Sequence, residues 1–284
     1  MTMNQLKCGD KVLSLATPQV MGILNVTPDS FSDGGKFKQF DSALIQVEQM
    51  LKDGATIIDI GGESTRPGAA EVSVDEELSR VIPVIDTIKA RFDAVISVDT
   101  SKSEVMSAAA SAGAGMINDV RALQNDGCLD VMTTNDLPIC LMHMQGMPRT
   151  MQANPQYDNV TSDIIDFIAE RIRMCTEKGI EKHRLLVDPG FGFGKTLMQN
   201  YQLLNQLSAF KDLELPILVG ISRKSMIGNL LDADVENRLA GSLAAALYSV
   251  QQGAKIIRVH DVKETVDALS VLAAAEQPEL ARGK

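Results

Sequence analysis

Eight short stretches rich in Ile, Val and Leu are spaced along this 284-residue chain, and a longer segment with helical periodicity follows each of them. Continuously apolar strands that alternate with helices are typical of a parallel sheet covered by helices. The strand candidates are residues 20–26, 56–62, 94–100, 115–120, 138–144, 184–190, 216–222 and 255–261. The helix candidates are residues 41–52, 74–91, 102–112, 128–135, 159–178, 197–209, 235–252 and 262–275.

Eight such units in a chain of this length predict an α/β fold of the (β/α)8 or TIM barrel class, with residues 1–284 forming one domain. A doubly wound open sheet is the structural alternative. The leading segment "LKCGDKVLSLATP" alternates around Gly9-Asp10. This alternation predicts a short N-terminal β-hairpin that closes the bottom of the barrel.

Composition excludes several classes of protein. The chain has 27 Lys and Arg against 37 Asp and Glu, so its net charge of −10 argues against a broad nucleic-acid-binding surface. Four scattered cysteines without a C-x-x-C pair indicate reduced thiols in a cytoplasmic protein, not a disulfide framework or a zinc site. We find no signal peptide pattern and no stretch that predicts a transmembrane helix, so we expect no membrane partner.

The stretch "VDPGFGFGKT", residues 187–196, looks like a phosphate-binding loop but fits neither nucleotide fingerprint. The Walker A spacing needs a glycine five residues before Gly194, where this chain has Pro189, which has no N–H to donate to a phosphate. The dinucleotide pattern G-x-G-x-x-G fails as well, because counting from the first two glycines reaches a lysine. We therefore expect the glycines to leave backbone space for a flat ligand instead.

Hydrogen-bonding side chains lie at or near the carboxyl ends of the predicted strands. In this class of barrel the active site forms where strands end and loops begin, so these residues are expected to share a site. They are Asn25, Glu63, Asp99, Asn118, His143, Asp188, Ser222, Lys224, Arg258 and His260. Any one of them could instead cap a helix, and for His143 we expect a structural role.

The chemistry of these residues points to a ring with an amide-plus-amino edge and to a phosphate. Asp188 and Asn118 together can satisfy such an edge of a guanine-like or pterin-like ring. In an acidic protein a group of cations indicates a phosphate or diphosphate site, although pairing with carboxylates of the mouth is the alternative. The cations are Arg66, Arg223, Lys224, Arg258 and His260. The loops "NVTPDSFSDGGKF" and "GGESTRPGAAEVS", which follow the first two strands, are predicted to act as lids.

The chain resembles dihydropteroate synthase of the folate pathway at these loops and strand ends. The matching stretches are "GILNVTPDSFSDGG", "DIGGESTRPGA", "SVDTSK", "INDVRA", "MHMQGMPRTMQ", "DPGFGFGKT", "GISRKSMIG" and "RVHDV". They run in order from the first strand to the eighth, so the resemblance covers nearly the whole chain.

The resemblance implies a transferase of tetrahydrofolate biosynthesis and a target of sulfonamides. Such an enzyme joins 6-hydroxymethyl-7,8-dihydropterin diphosphate to p-aminobenzoate, releasing diphosphate first and then forming 7,8-dihydropteroate by attack of the aniline nitrogen. Mg²⁺ as cofactor, these two small molecules as partners and a homodimer are also implied.

The resemblance further implies a role for each matching residue. The pterin ring would be held by Asp99, Asn118, Asp188 and Lys224. The diphosphate would be bound by Asn25, Arg66, Arg258 and His260, with Asn25 also binding the magnesium. The aminobenzoate pocket would be formed by Phe31, Thr65, Arg66, Pro67 and Ser222. The catalytic residues would be Asp99, Lys224 and Arg258.

Three other functions are possible interpretations of the same pattern. A methyltetrahydrofolate-dependent corrinoid methyltransferase binds a pterin in a similar mouth, but it would not need cations on the eighth strand. A non-catalytic pterin-binding protein could carry every expected residue. A sugar-phosphate aldolase would need a Schiff-base lysine within a strand or several histidine ligands, and the chain has only three histidines.

Overall fold

Eight parallel strands close into a barrel in the computed structural model, which describes residues 4–27, 36–64, 69–146, 151–152 and 154–281. Two strands precede the barrel in the chain, β1 (Gln5–Cys8) and β2 (Lys11–Ser14). The barrel strands are β3 (Gln19–Asn25), β4 (Ile57–Gly61), β5 (Val95–Asp99), β6 (Met116–Asp119), β7 (Ile139–Met142), β8 (Leu185–Asp188), β9 (Ile217–Val219) and β10 (Ala254–Val259). Because β10 pairs with both β9 and β3, the sheet has no edge, and the TIM barrel prediction is confirmed over the open sheet.

Helices surround this barrel. They are α1 (Lys36–Lys52), α2 (Val74–Arg91), α3 (Ser103–Ala112), α4 (Cys128–Thr133), α5 (Val160–Glu177), α6 (Leu197–Asn205), α7 (Ser225–Leu231), α8 (Leu239–Gln252) and α9 (Val262–Glu276). Side-chain caps mark the N-termini of two of them. The Ser73 side chain caps α2, and Thr196 and Gln199 form a reciprocal capping box at α6. None of the helices in the described ranges has the length and apolarity needed to cross a membrane.

Two helix predictions need correction. The segment 235–252 was expected to be one helix, but its first residues form a 3-10 turn (Val235–Asn237) and α8 begins only at Leu239. Helix α7 was not predicted at all. It has only seven residues, too few for helical periodicity to be visible in the sequence.

The N-terminal hairpin closes the bottom of the barrel, as predicted. Strands β1 and β2 pair in antiparallel fashion, and Leu6, Cys8, Leu13 and Leu15 are buried. They belong to one apolar cluster with inward-facing residues from the barrel strands. The bottom of the barrel is therefore a packed apolar core, which leaves the carboxyl ends of the strands for a site.

All four cysteines are buried free thiols. Burial raises the pKa of Cys8 and of Cys128 to about 12. Thiols with such pKa values stay protonated near neutral pH and are poor nucleophiles.

Candidate active site

A complete layer of the barrel interior is polar. Interior residues of a TIM barrel form layers of four side chains from alternate strands, and here β4, β6, β8 and β10 contribute Asp59, Asn118, Asp188 and Arg258. The strand pairing gives the four residues a regular stagger. When the paired residues are followed from one contributing strand to the next, each site residue lies two positions after the residue reached in this way. Branched apolar residues usually fill such layers, so four polar side chains mark this one as a site.

Arg258 is the central cation of this polar layer. Its Nε donates to Asp59 Oδ2 at 2.6 Å, and its Nη2 donates to Asp99 Oδ2 at 2.9 Å. Burial alone would lower the pKa of Arg258, but the two carboxylates outweigh burial and raise that pKa above its ordinary value. The guanidinium is thus permanently charged and is held in one orientation.

Asp99 ends β5 directly above the polar layer. Burial raises the pKa of Asp99 to about 7, with Arg258 opposing the shift and Asp59 and Asp119 adding to it. A carboxyl group with that pKa exchanges its proton near neutral pH, as active-site carboxyl groups often do.

Asn118 and Asp59 form a buried pair. Asn118 Nδ2 donates to Asp59 Oδ2 at 3.2 Å, and both side chains are almost completely buried. Asn118 Oδ1 and Asp59 Oδ1 have no hydrogen-bond partner among the residues that the structure describes. Because an unpaired buried acceptor costs free energy, the Asn118 carbonyl oxygen inside the mouth indicates that a ligand completes it.

Asp188 lies across the barrel from Asp59, and Lys224 follows the neighbouring strand β9. Asp188 Oδ1 accepts from the Gly190 backbone N–H at 2.7 Å, and burial raises the pKa of Asp188, with Lys224 opposing the shift. Lys224 Nζ donates to the Phe191 carbonyl and lies 4.5 Å from the centre of the Phe193 ring. Burial lowers the pKa of Lys224 to about 8, again with Asp188 opposing.

The glycines of the loop after β8 serve a purpose that the sequence did not reveal. A Cβ at Gly190 would lie 1.9 Å from the His143 carbonyl oxygen, and one at Gly194 would lie 2.6 Å from that of Gln145. The expectation that all three glycines leave space for a flat ligand is therefore wrong for these two. Their missing side chains allow the backbone to pack closely against the loop after β7.

Lys195 and His143 hold this loop together. Lys195 is buried, and its Nζ donates to the Gly190 carbonyl at 2.7 Å and lies 3.1 Å from His143 Nδ1. The His143 ring makes an edge contact with Phe167, and burial lowers the pKa of His143 to about 2. A neutral imidazole nitrogen can accept a hydrogen bond from Lys195, which agrees with the structural role expected for His143.

The ends of β9 and β10 bring Ser222 and His260 together. Ser222 Oγ lies 3.1 Å from His260 Nδ1 and accepts from the His260 backbone N–H at 3.2 Å. Arg223 Nε donates to Asp261 Oδ2 at 2.9 Å. For this cation, therefore, the alternative prediction of pairing with a carboxylate is confirmed.

Two other strand-end residues have different surroundings. A Cβ added at Gly61 would lie 3.5 Å from Asn25 Oδ1 and 3.9 Å from Asp99 Cβ, so Asn25 is close to the polar layer. Glu63 instead pairs with Lys102, whose Nζ lies 2.5 Å from Glu63 Oε2. Within the described ranges no three His, Cys, Asp or Glu side chains group as a metal site.

Four predicted site residues lie outside the described residues. They are Phe31, Thr65, Arg66 and Pro67. Of the other predicted site residues, the polar layer and the strand ends beside it hold Asn25, Asp99, Asn118, Asp188, Ser222, Lys224, Arg258 and His260. Asp59 was not among the predicted site residues, although an aspartate in the middle of the apolar strand "TIIDIGG" is a signal that could have found it.

Comparisons with known proteins identify the family of this chain. Residues 21–260 match the family model described as pterin binding enzyme. Dihydropteroate synthase from Haemophilus influenzae is 56% identical over 267 residues, which cover 94% of this chain and 97% of that protein.

Solved structures show the same similarity. The Yersinia pestis dihydropteroate synthase, solved with a sulfonamide drug complex, has a TM-score of 0.92 and 55% identity over 96% of this chain and 99% of that one. The Xanthomonas albilineans dihydropteroate synthase, solved with 4-aminobenzoic acid, has a TM-score of 0.92 and 49% identity over 96% of this chain and 98% of that one. With near full-length identity of this order, the chain belongs to the dihydropteroate synthase family of pterin-binding enzymes.

Proposed function

We propose that this chain is a transferase that condenses 6-hydroxymethyl-7,8-dihydropterin diphosphate with p-aminobenzoate. The products are 7,8-dihydropteroate and diphosphate, in a step of tetrahydrofolate biosynthesis. The observation that carries the proposal is the polar layer, where unpaired buried acceptors lie beside a fixed guanidinium. The sulfonamide and 4-aminobenzoic acid named for the two solved relatives support aminobenzoate as the second substrate and sulfonamides as inhibitors.

The pterin ring is proposed to bind within the polar layer. Asp188 and Asn118 supply acceptors for its N–H groups, and Lys224 supplies a donor for its ring oxygen or nitrogen. Asp99 lies above the layer, close to where the reacting methylene would project. All four contacts come from strand ends or from the turn just beyond β9, which are rigid supports for binding.

The diphosphate is proposed to contact Arg258, His260 and Asn25, together with Arg66. The donor set fits Mg²⁺, because this ion usually takes one or two protein oxygens and completes its shell with substrate phosphates and water. The Asn25 amide oxygen would be that protein ligand. When bound, Mg²⁺ supplies positive charge that makes diphosphate a better leaving group.

The chemistry follows from the charges at the mouth. The bond between the exocyclic methylene carbon and the diphosphate oxygen breaks, and its electron pair leaves with the diphosphate beside Arg258. The cation left on the methylene is delocalised into the pterin and is stabilised by the ionised Asp99 carboxylate. The lone pair of the aniline nitrogen of p-aminobenzoate then forms the C–N bond with the methylene carbon, and the nitrogen loses its extra proton to water. Lys224 keeps the ring in place throughout.

The aminobenzoate pocket is proposed to include Ser222, which lies beside His260 at the rim. Phe31, Thr65, Arg66 and Pro67 would form the rest of this pocket, as the family resemblance implies. In this arrangement the aniline nitrogen would approach the methylene carbon that the diphosphate leaves.

The test is direct product formation. The full chain is incubated with the pterin diphosphate, p-aminobenzoate and Mg²⁺, and 7,8-dihydropteroate is measured by mass spectrometry. We expect product only when both substrates are present. Tight binding of the pterin without any product would instead identify a non-catalytic pterin-binding protein.

We also propose that residues 1–284 act as one domain, as a homodimer in the cytoplasm. Leu230 and Leu231 on α7 are more than half exposed, and such apolar side chains supply contact area of the kind that homodimers bury. Four buried free thiols suit a reducing compartment. Light scattering of the purified protein tests the dimer, for which we expect twice the mass of the chain.

A further inference from the structure

Asp59 is the one member of the polar layer for which the proposed function gives no ligand contact. Its side chain is completely buried, and its two closest partners are both proposed to touch the substrate. Asp59 Oδ2 accepts from Arg258 Nε at 2.6 Å and from Asn118 Nδ2 at 3.2 Å. A single carboxylate oxygen therefore connects the proposed diphosphate cation with the proposed pterin ligand.

The contact with Asp59 decides which way the Asn118 amide faces. An ionised carboxylate accepts hydrogen bonds and cannot donate them, so the Asn118 NH₂ group must point at Asp59. The Asn118 carbonyl oxygen consequently points elsewhere, where it is buried and has no partner among the described residues. Without the carboxylate, nothing in this contact would prevent the amide from turning over.

Asp59 also restricts Arg258. The guanidinium offers five N–H groups in a fixed plane, and its Nε and Nη2 are directed at Asp59 and Asp99. The contacts with two carboxylates on different strands leave one edge of the plane for an incoming anion.

Stability alone is a weak reason for a fully buried aspartate at this position. Well-packed apolar residues are often as stabilising as a buried ion pair, and apolar residues fill most TIM barrel layers. One oxygen of Asp59 is moreover unpaired among the described residues. Because burying an unpaired carboxylate oxygen costs free energy, we expect Asp59 to have a functional role.

We propose that Asp59 is a positioning residue that fixes the Asn118 amide as an acceptor for the pterin and orients Arg258 toward the diphosphate. This inference rests on the proposed function, because it assigns Asp59 through the substrate contacts of its two partners. Asp59 itself touches no reacting atom.

The first test is Asp59→Leu, which keeps the approximate size of the side chain and removes both oxygens. Arg258 Nε and the Asn118 NH₂ group then lose the acceptor that they share, so the Asn118 amide is no longer held in one orientation. We expect the affinity for 6-hydroxymethylpterin, measured by calorimetry, to fall at least tenfold. The affinity for Mg²⁺-diphosphate should fall at least threefold, because Arg258 keeps only its contact with Asp99.

The second test is the conservative variant Asp59→Asn. Its amide oxygen can take the place of Oδ2 and accept from both Arg258 and Asn118, as the carboxylate does. We expect this variant to bind 6-hydroxymethylpterin at least fivefold more tightly than Asp59→Leu. If Asp59→Leu does not fold, Asp59→Ala takes its place in the same comparison.

Ser97→Ala is the matched control, because Ser97 is the ladder partner of Asp59 on β5 and its buried hydroxyl has no partner among the described residues. Its pterin affinity should stay within twofold of wild type. A folded Asp59→Leu protein that binds the pterin like wild type, or an Asp59→Asn protein that binds it no better than Asp59→Leu, would overturn the positioning role alone. Wild-type protein that binds no 6-hydroxymethylpterin would overturn the proposed function and this inference with it.

Discussion

At the scale of single residues, Asp188 gives the simplest test of the pterin site. An ionised carboxylate can accept two N–H bonds from a ring edge, whereas the amide of Asp188→Asn turns one acceptor into a donor. An unpaired buried donor costs about 1–3 kcal/mol, so we expect pterin affinity to fall about tenfold to a hundredfold. Calorimetry with 6-hydroxymethylpterin measures this loss.

The control for Asp188 is Asp136→Asn. Asp136 is exposed and precedes β7, at the end of the barrel opposite the mouth, so its substitution should leave pterin affinity unchanged. If Asp188→Asn also binds like wild type, the pterin does not contact the end of β8.

The pKa values at the mouth predict a narrow pH optimum for kcat/KM. Asp99, with its pKa raised to about 7, is ionised above that pH and can then stabilise the cation on the methylene. Lys224, with its pKa lowered to about 8, is charged below that pH and can then hold the pterin. Activity should therefore rise with pH through about 7 and fall through about 8.

The two limbs of this profile belong to different residues. Asp99→Asn should remove the acid limb of the residual activity, and Lys224→Arg should move the alkaline limb to higher pH. A wild-type profile that is flat between about pH 6 and 9 would show that neither group titrates during turnover.

The position of a side chain in the mouth could be predicted from sequence only at the end of a strand or one residue before it. Asp99, Asn118, Asp188 and Arg258 stood out because strand ends face the mouth in this fold. Asp59 lies two residues before the end of β4 and was missed, because its inward direction depends on the closed barrel and its register. Its contacts with Arg258 and Asn118 join residues far apart in the chain.

At the scale of elements, the loop after β8 should tolerate no side chain at Gly190. This residue has φ of +71°, and its added Cβ would meet the His143 carbonyl oxygen at 1.9 Å. Left-handed strain alone should lower the free energy of unfolding by about 1–3 kcal/mol. For Gly190→Ala we expect a larger loss, because the clash adds to this strain. Thermal and urea unfolding measure the difference.

Gly179→Ala separates backbone strain from the clash. Gly179 has φ of +101° and nothing within 4 Å of its added Cβ, so only the strain remains. Equal losses of stability in the two alanine variants would mean that the loop moves away from His143 without cost.

The sequence predicted elements well where the physical signal was local. Eight apolar runs were enough for the barrel strands, because each one must be buried on both faces. Helix α7 was missed because seven residues are too few to show helical periodicity and because Gly228 lowers the helix propensity of the segment. The purpose of Gly190 was missed because the neighbouring backbone comes from another strand end.

At the scale of the whole molecule, the barrel separates stability at its bottom from function at its mouth. Leu6 of the hairpin is 2% exposed within the bottom cluster, so Leu6→Ala should cost about 2–5 kcal/mol of unfolding free energy. Pterin affinity should not change, because the polar layer lies above this cluster. Val12→Ala on the same hairpin is the control, since Val12 is 65% exposed and should cost under about 0.5 kcal/mol. Loss of pterin affinity in a folded Leu6→Ala protein would refute the separation.

The most direct measurement of the central claim follows both products of one reaction mixture, in the wild type and in Arg258→Gln. For the wild type we predict one diphosphate released for each 7,8-dihydropteroate formed. Removing the guanidinium that is proposed to contact the leaving group should lower kcat by about 10²–10³-fold, as loss of one preorganised charge-stabilising donor does in other enzymes. Diphosphate release without dihydropteroate, or a kcat for Arg258→Gln within threefold of wild type, would contradict the account.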